Sequence, residues 1–108
     1  MKKFFVTMLL AFSFMVAPVT FAQNDPPVGV QSNQQGSTVY FSVYNDSAST
    51  VCVFPYVAQQ SNVYGSVVPM IQLGPGEQHV NIGAYAQADP QQAWSVQVAA
   101  KYRAGTCA

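Results

Sequence analysis

The chain has 108 residues, is half hydrophobic, and carries only four basic and four acidic side chains with one histidine. That length makes one domain with a modest core. Nucleic-acid binding needs clustered Lys and Arg to neutralise phosphates, and so few basic residues exclude it, together with electrostatic binding to anionic membrane surfaces.

In chain order the first element is a leader. Lys2 and Lys3 precede an apolar run, Phe4 to Val16, broken only by Thr7 and Ser13. Pro18 follows, and Thr20-Phe21-Ala22 places small residues at −3 and −1 of a cleavage site. That order is the signature of a secretory signal peptide spanning residues 1–22. The rival, an uncleaved anchor, needs roughly 20 apolar residues to span a bilayer, and this run has 13. No cysteine follows it closely, which argues against a lipoprotein. The expected product is exported, to the periplasm or the cell exterior, with no membrane span after cleavage.

Cleavage after Ala22 leaves Gln23–Ala108. Its bases are Lys101 and Arg103 and its acids Asp25, Asp46, Glu77 and Asp89, a net charge of −2 with His79 neutral. The surface is built from Gln, Ser, Asn and Thr, with twelve Gln after the cleavage point.

Residues 23–36 read as a polar, proline-containing lead-in with one short strand at Val28 to Gln31. From 37 to 108 the chain reads as strands and turns. Ser37 to Asn45 alternates, Val39, Phe41 and Val43 on one face and Tyr40, Ser42 and Tyr44 on the other, which is the strand signal. Asn45-Asp46-Ser47 reads as a turn. It also matches a glycosylation sequon, set aside because the leader has bacterial form. Thr50 to Ala58 is apolar on both faces, as in an internal strand. Pro55 conflicts with that place, since proline cannot donate to the ladder, and a bulge at Pro55 is the expected resolution. Val63 to Leu73 holds one or two strands interrupted by Gly65 and Pro69. Gly74-Pro75-Gly76-Glu77 reads as a hairpin turn, followed by an alternating stretch from His79 to Gly83 and a turn at Ala88-Asp89-Pro90-Gln91. The last strand sets Trp94, Val96, Val98, Ala100 and Tyr102 against Ser95, Gln97, Ala99 and Lys101. No helical period of useful length occurs. The expected fold is an all-β, immunoglobulin-like β-sandwich, with a small β-barrel as the alternative.

Cys52 and Cys107 are the only cysteines. In an exported protein they are expected to pair. A redox-active dithiol sits close in sequence, as in Cys-x-x-Cys, whereas these two are far apart.

No catalytic, metal or cofactor site is expected. His79 is a lone histidine beside a turn, without partners for zinc or a nucleophile triad. The carboxylates lie in or near turns, with nothing to mark a glycosidase pair. Gly74-Pro75-Gly76 lacks the helix a phosphate loop requires. Two features suit binding. Tyr40, Ser42 and Tyr44 form an outward row, with Tyr64 a further candidate; tyrosine beside Gln and Asn fits carbohydrate or polypeptide recognition, or else serves ordinary cross-strand packing. The other is a sheet edge with few lysines to guard it, unless the polar N-terminal segment covers it.

Several of these features in order resemble the periplasmic curli assembly proteins, chaperones of curlin and inhibitors of its amyloid. They are Gln34-Gln35-Gly36 before a tyrosine-containing strand, Cys52 in an apolar strand, the polar loop Gln59 to Ser61, and Ile71-Gln72-Leu73 before a proline turn. Val80 to Ile82, Asp89-Pro90 and Trp94 to Val98 complete the order. That family carries a Cys-x-Cys pair where this chain has Cys52 alone, so a redox role for the pair does not carry over. The resemblance implies an immunoglobulin-like sandwich that meets curlin-type subunits transiently and stops them polymerising. A secreted carbohydrate-binding or adhesin-like module is the competing expectation. A fibre subunit is disfavoured by the absence of internal repeats.

Overall fold

The computed structural model describes residues 19–22, 27–78 and 80–108. Eight strands follow in order: β1 (Val19–Ala22), β2 (Val28–Gln35), β3 (Thr38–Asn45), β4 (Val51–Ser61), β5 (Val63–Val67), β6 (Ile71–Leu73), β7 (Val80–Gln87) and β8 (Ser95–Ala104). They form two four-stranded sheets, ordered β1-β8-β4-β6 and β2-β3-β7-β5. The pairings are antiparallel except β1 with β8. Two separate sheets rather than one closed sheet make a small β-sandwich, not a barrel.

Alternation decides which faces meet. Val39, Phe41 and Val43 of β3 are fully buried, as are Val96 and Val98 of β8. They pack in one core with Val28, Val30, Val51, Val53, Leu73, Ile82, Tyr85, Trp94 and Ala100. Phe41 and Tyr85 meet edge to face, their ring centroids 6.4 Å apart, a favoured aromatic geometry. Burial pushes the Tyr85 phenol above its ordinary pKa of 10.0, because water no longer solvates the phenolate.

The strands differ from the sequence expectation in several places. β2 runs on to Gln35, beyond the short strand ending at Gln31, and joins β3 through Gly36-Ser37 with Gln35 opposite Thr38. Gln31–Gln35 are exposed, so backbone pairing with β3 rather than a buried face holds them in the sheet. β2 is thus itself an edge strand of its sheet, and residues 23–26 of the lead-in lie outside the described residues.

Strand β4 is internal, between β8 and β6, as its two apolar faces suggested. The expected bulge at Pro55 is displaced: Pro55 pairs in register with Ala100, and the irregularity falls between Val57 and Gln59. β6 pairs with β4 only from Val51 to Val53. At Pro55 one flank of β4 therefore has no ladder for a missing N–H to break, the edge-like setting in which proline is tolerated.

The Gly74–Glu77 segment is a tight turn but not a hairpin. It carries the chain from β6 in one sheet to β7 in the other. The Glu77 N–H donates to the Gly74 carbonyl at 3.2 Å, and Gly76 has φ 70°. Pro75 and Gly76 thus hold the central positions of a type II turn, the second of which requires positive φ.

Asn45, at the end of β3, is the only polar side chain fully buried among the described residues. Its Nδ2 donates to the carbonyls of Ser49 (2.7 Å) and Gly74 (2.9 Å), and its Oδ1 accepts from the Ser47 N–H (3.0 Å) and hydroxyl (2.7 Å). It ties the turn after β3 to the connection after β6. An amide consumed this way is not presented for glycosylation, which fits the turn reading of Asn45-Asp46-Ser47. At the other end Asn62, with φ 56°, binds the 88–93 loop through the carbonyls of Asp89 and Gln92 and the Asp89 N–H.

Candidate functional site: the outer tyrosine face

Cys52 and Cys107 form a disulfide, with Cα atoms 4.9 Å apart and a sequence separation of 55. Cys52 points outward from β4 and is buried nonetheless, because the C-terminal tail folds back over it. The Cys107 N–H donates to Gln72 Oε1 at 3.0 Å, and Arg103 Nη2 reaches the carbonyls of Thr106 and Cys107. This outer face also holds Phe54 and Tyr56, with the Arg103 guanidinium 5.7 Å from the Phe54 ring centroid and the Lys101 ammonium 5.7 Å from that of Tyr56. Both bases of the 23–108 segment are therefore already set over aromatic rings on this face.

The other outer face is different. Tyr40, Ser42 and Tyr44 alternate with the buried residues of β3 and so share its outer side. Register extends the face across three more strands. Tyr40 lies opposite Asn33 on β2 and Ala84 on β7, and Ala84 lies opposite Ser66 on β5. One step along, Thr38 lies opposite Gln35 and Ala86, and Ala86 lies opposite Tyr64. Tyr40 and Tyr64 thus stand on the strands flanking β7, two strand spacings apart across the sheet and two residues apart along it, about 12 Å between backbones, with Ala84 beside Tyr40 and Ala86 beside Tyr64.

The register outlines a shallow trough: a floor of methyl groups on β7 with one tyrosine on the strand to each side, staggered along it. Both tyrosines are open to solvent, Tyr40 at 39% and Tyr64 at 64% exposure. None of the residues named in it is charged. The floor is tight beneath: a Cβ on Gly65 would sit 2.1 Å from the Ala84 carbonyl oxygen, and Gly65 has φ 150°, so only glycine lets β5 approach β7 this closely.

The four sequence candidates separate here. Tyr40 and Tyr64 form the trough. Ser42 is half-buried on the same face, opposite Asn81. Tyr44 is half-buried as well, and its ring lies over Gly29, where an added Cβ would be 2.0 Å from Tyr44 Cζ. Tyr44 therefore follows the packing alternative and covers the opposite strand. Ala84 and Ala86 were not among the candidates; two alanines give no chemical signal, and only their register with Tyr40 and Tyr64 reveals them.

Other sites offer less. A cleft of ≈ 190 Å³ lined by Ser61, Ala93, Trp94 and Ser95 contains no charged side chain. The described carboxylates act largely in turns: Glu77 Oε1 accepts from the Gly74 N–H at 2.8 Å, and Asp89 Oδ1 from the Gln91 N–H at 2.9 Å. Among the described residues no group of three or more His, Cys, Asp or Glu is placed to hold a metal, and no helix is long and apolar enough to cross a membrane. His79 and the leader residues before Val19 lie outside the described residues. No protein-family model, no curated protein and no solved structure matches the chain.

Proposed function

We propose that this chain is an exported, non-enzymatic binding protein of the periplasm. It holds extended, β-prone segments of other secreted polypeptides on the Tyr40–Tyr64 trough and so delays their premature assembly into amyloid. The observation that carries this reading is the trough itself: two exposed tyrosines on the strands either side of Ala84 and Ala86, staggered by two residues. An extended Gln- and Asn-rich segment lies flat on methyl groups, packs between the rings, and meets hydroxyls and amides at the rim. The lack of charge suits a neutral client. The open shape suits brief contact, since a shallow surface buries too little area for a permanent complex. The resemblance to the curli assembly proteins points to curlin-type subunits as clients, and the signal-peptide pattern of residues 1–22 supports export.

The test is fibril growth of a curlin-type subunit followed by dye fluorescence. Substoichiometric mature protein lengthens the lag, and Tyr40→Ala with Tyr64→Ala removes most of that effect. An unchanged lag at equimolar wild-type protein ends this reading.

The polar rim of Asn33, Thr38, Ser42 and Ser66 favours a carbohydrate ligand as the second reading. In that case a glycan array gives signals that Tyr40→Ala weakens; a blank array removes it.

A further inference from the structure

Strand β8 has two flanks of unequal character. On one side β4 pairs with it from Ser95 to Ala104. On the other, β1 pairs over four residues only, in parallel register from Val19 opposite Ser95 to Ala22 opposite Val98. β1 lies wholly inside residues 1–22, the segment read as a cleaved leader. Cleavage after Ala22 removes it. The Ser95–Val98 flank then loses its ladder, directly beside the fully buried Val96 and Val98. A bare edge of this kind is a template for another strand. Proteins guard such edges with lysine, proline or bulges, and the sequence Ser95-Val96-Gln97-Val98-Ala99-Ala100 has no charge and no proline.

We propose that in the mature protein the Ser95–Val98 flank of β8 is a strand-acceptor site, which takes an extended, uncharged segment of a partner polypeptide in parallel orientation. The seating of β1 gives the geometry: at least four residues, parallel, N-terminus beside Ser95. Main-chain hydrogen bonds supply the binding, as in other cases of strand addition. The same geometry selects the occupant. Two copies of this chain joined about a two-fold axis would bring β8 against β8 antiparallel, whereas the register seen here is parallel. A separate polypeptide meets no such restriction. The inference rests on the export reading, because an uncleaved leader keeps the flank covered. It does not rest on the tyrosine trough.

The probe is a peptide with the sequence of residues 17–24, added to mature protein purified from the exported fraction. Hydrogen exchange by NMR reads the β8 amides. At saturating peptide, protected amides within Ser95–Val98 slow at least tenfold. A spin label on the peptide N-terminus broadens Ser95, and one on its C-terminus broadens Val98. A peptide N-methylated at its ladder-facing amides gives neither effect. Tyr40→Ala with Tyr64→Ala leaves both effects intact, so failure of the trough reading and failure of this one are separable. No protection at millimolar peptide overturns the proposal. So do reversed broadening, protection that grows with protein concentration alone (a second copy on the edge), and a purified chain that still begins at Met1.

Discussion

Tyr40 and Tyr56 lie on opposite outer faces of the sandwich with nearly the same exposure, 39% and 40%. Their surroundings differ. Tyr56 sits opposite Ala99 with the Lys101 ammonium over its ring, on a face stapled by Cys52–Cys107 and overlaid by the tail. Tyr40 lies diagonally across two alanines from Tyr64, with no charge near it in the register. On one face the aromatics are already occupied by the protein's own cations; on the other they are available to a ligand. Exposure alone does not mark a binding residue. What an exposed ring already touches does.

The largest loss of stability is expected at the staple. Cys52→Ser opens a loop closed across 55 residues, which costs roughly 4 kcal/mol in the chain-entropy account and should lower the thermal midpoint by tens of degrees in calorimetry. Below that midpoint the variant should keep client binding, since the trough lies on the other sheet. Loss of binding while the far-ultraviolet spectrum stays native would show that the two faces are not independent. Next in size is Asn45→Ala, which removes a buried amide and unpairs half-buried backbone groups in both connections that Asn45 joins. We expect about 3 kcal/mol of destabilisation, measured by urea unfolding.

Smaller in stability but decisive for the comparison are the tyrosines. Tyr40→Ala and Tyr64→Ala should each weaken client binding about tenfold, roughly 1.4 kcal/mol, with under about 1 kcal/mol lost in folding. Tyr56→Ala, equally exposed, should leave binding unchanged in titration calorimetry. The smallest effect is alkaline. The Tyr85 phenol ionises at higher pH in the folded protein than in the unfolded chain. Its contribution is therefore intact below pH 10 and declines as pH rises above 10, where the unfolded state releases the proton first. Tyr85→Phe should flatten that part of the stability–pH curve.

How far the sequence reached follows from what writes a signal. β3 and β8 are legible because the core takes every second side chain, which sets Val39, Phe41, Val43 and Val96, Val98, Ala100 in period two, with Trp94 just before β8 in the same phase. The rest of β2 leaves no signal because Ser32–Gln35 bury nothing; only pairing with β3 holds them. Pro55 misled because its effect depends on whether β6 reaches it, a fact of pairing and not of composition. The Cys52–Cys107 bond followed from counting cysteines. Tyr40 was found by alternation, but its meeting with Tyr64 requires β5 to pair with β7. The floor lay past Gly83, where the alternating stretch was read as ending, and Ala84 and Ala86 carry no chemistry of their own.

The most direct measurement of the central claim is amide chemical-shift mapping of the mature protein with an unlabelled, extended curlin-type peptide. The two outer faces supply the contrast. The largest outer-face shifts are expected at Thr38–Ser42, Val63–Ser66 and Ala84–Ala86, with Cys52–Tyr56 and Lys101–Arg103 unmoved. Shifts centred on Phe54, Tyr56 and Lys101 with Tyr40 and Tyr64 silent would contradict it.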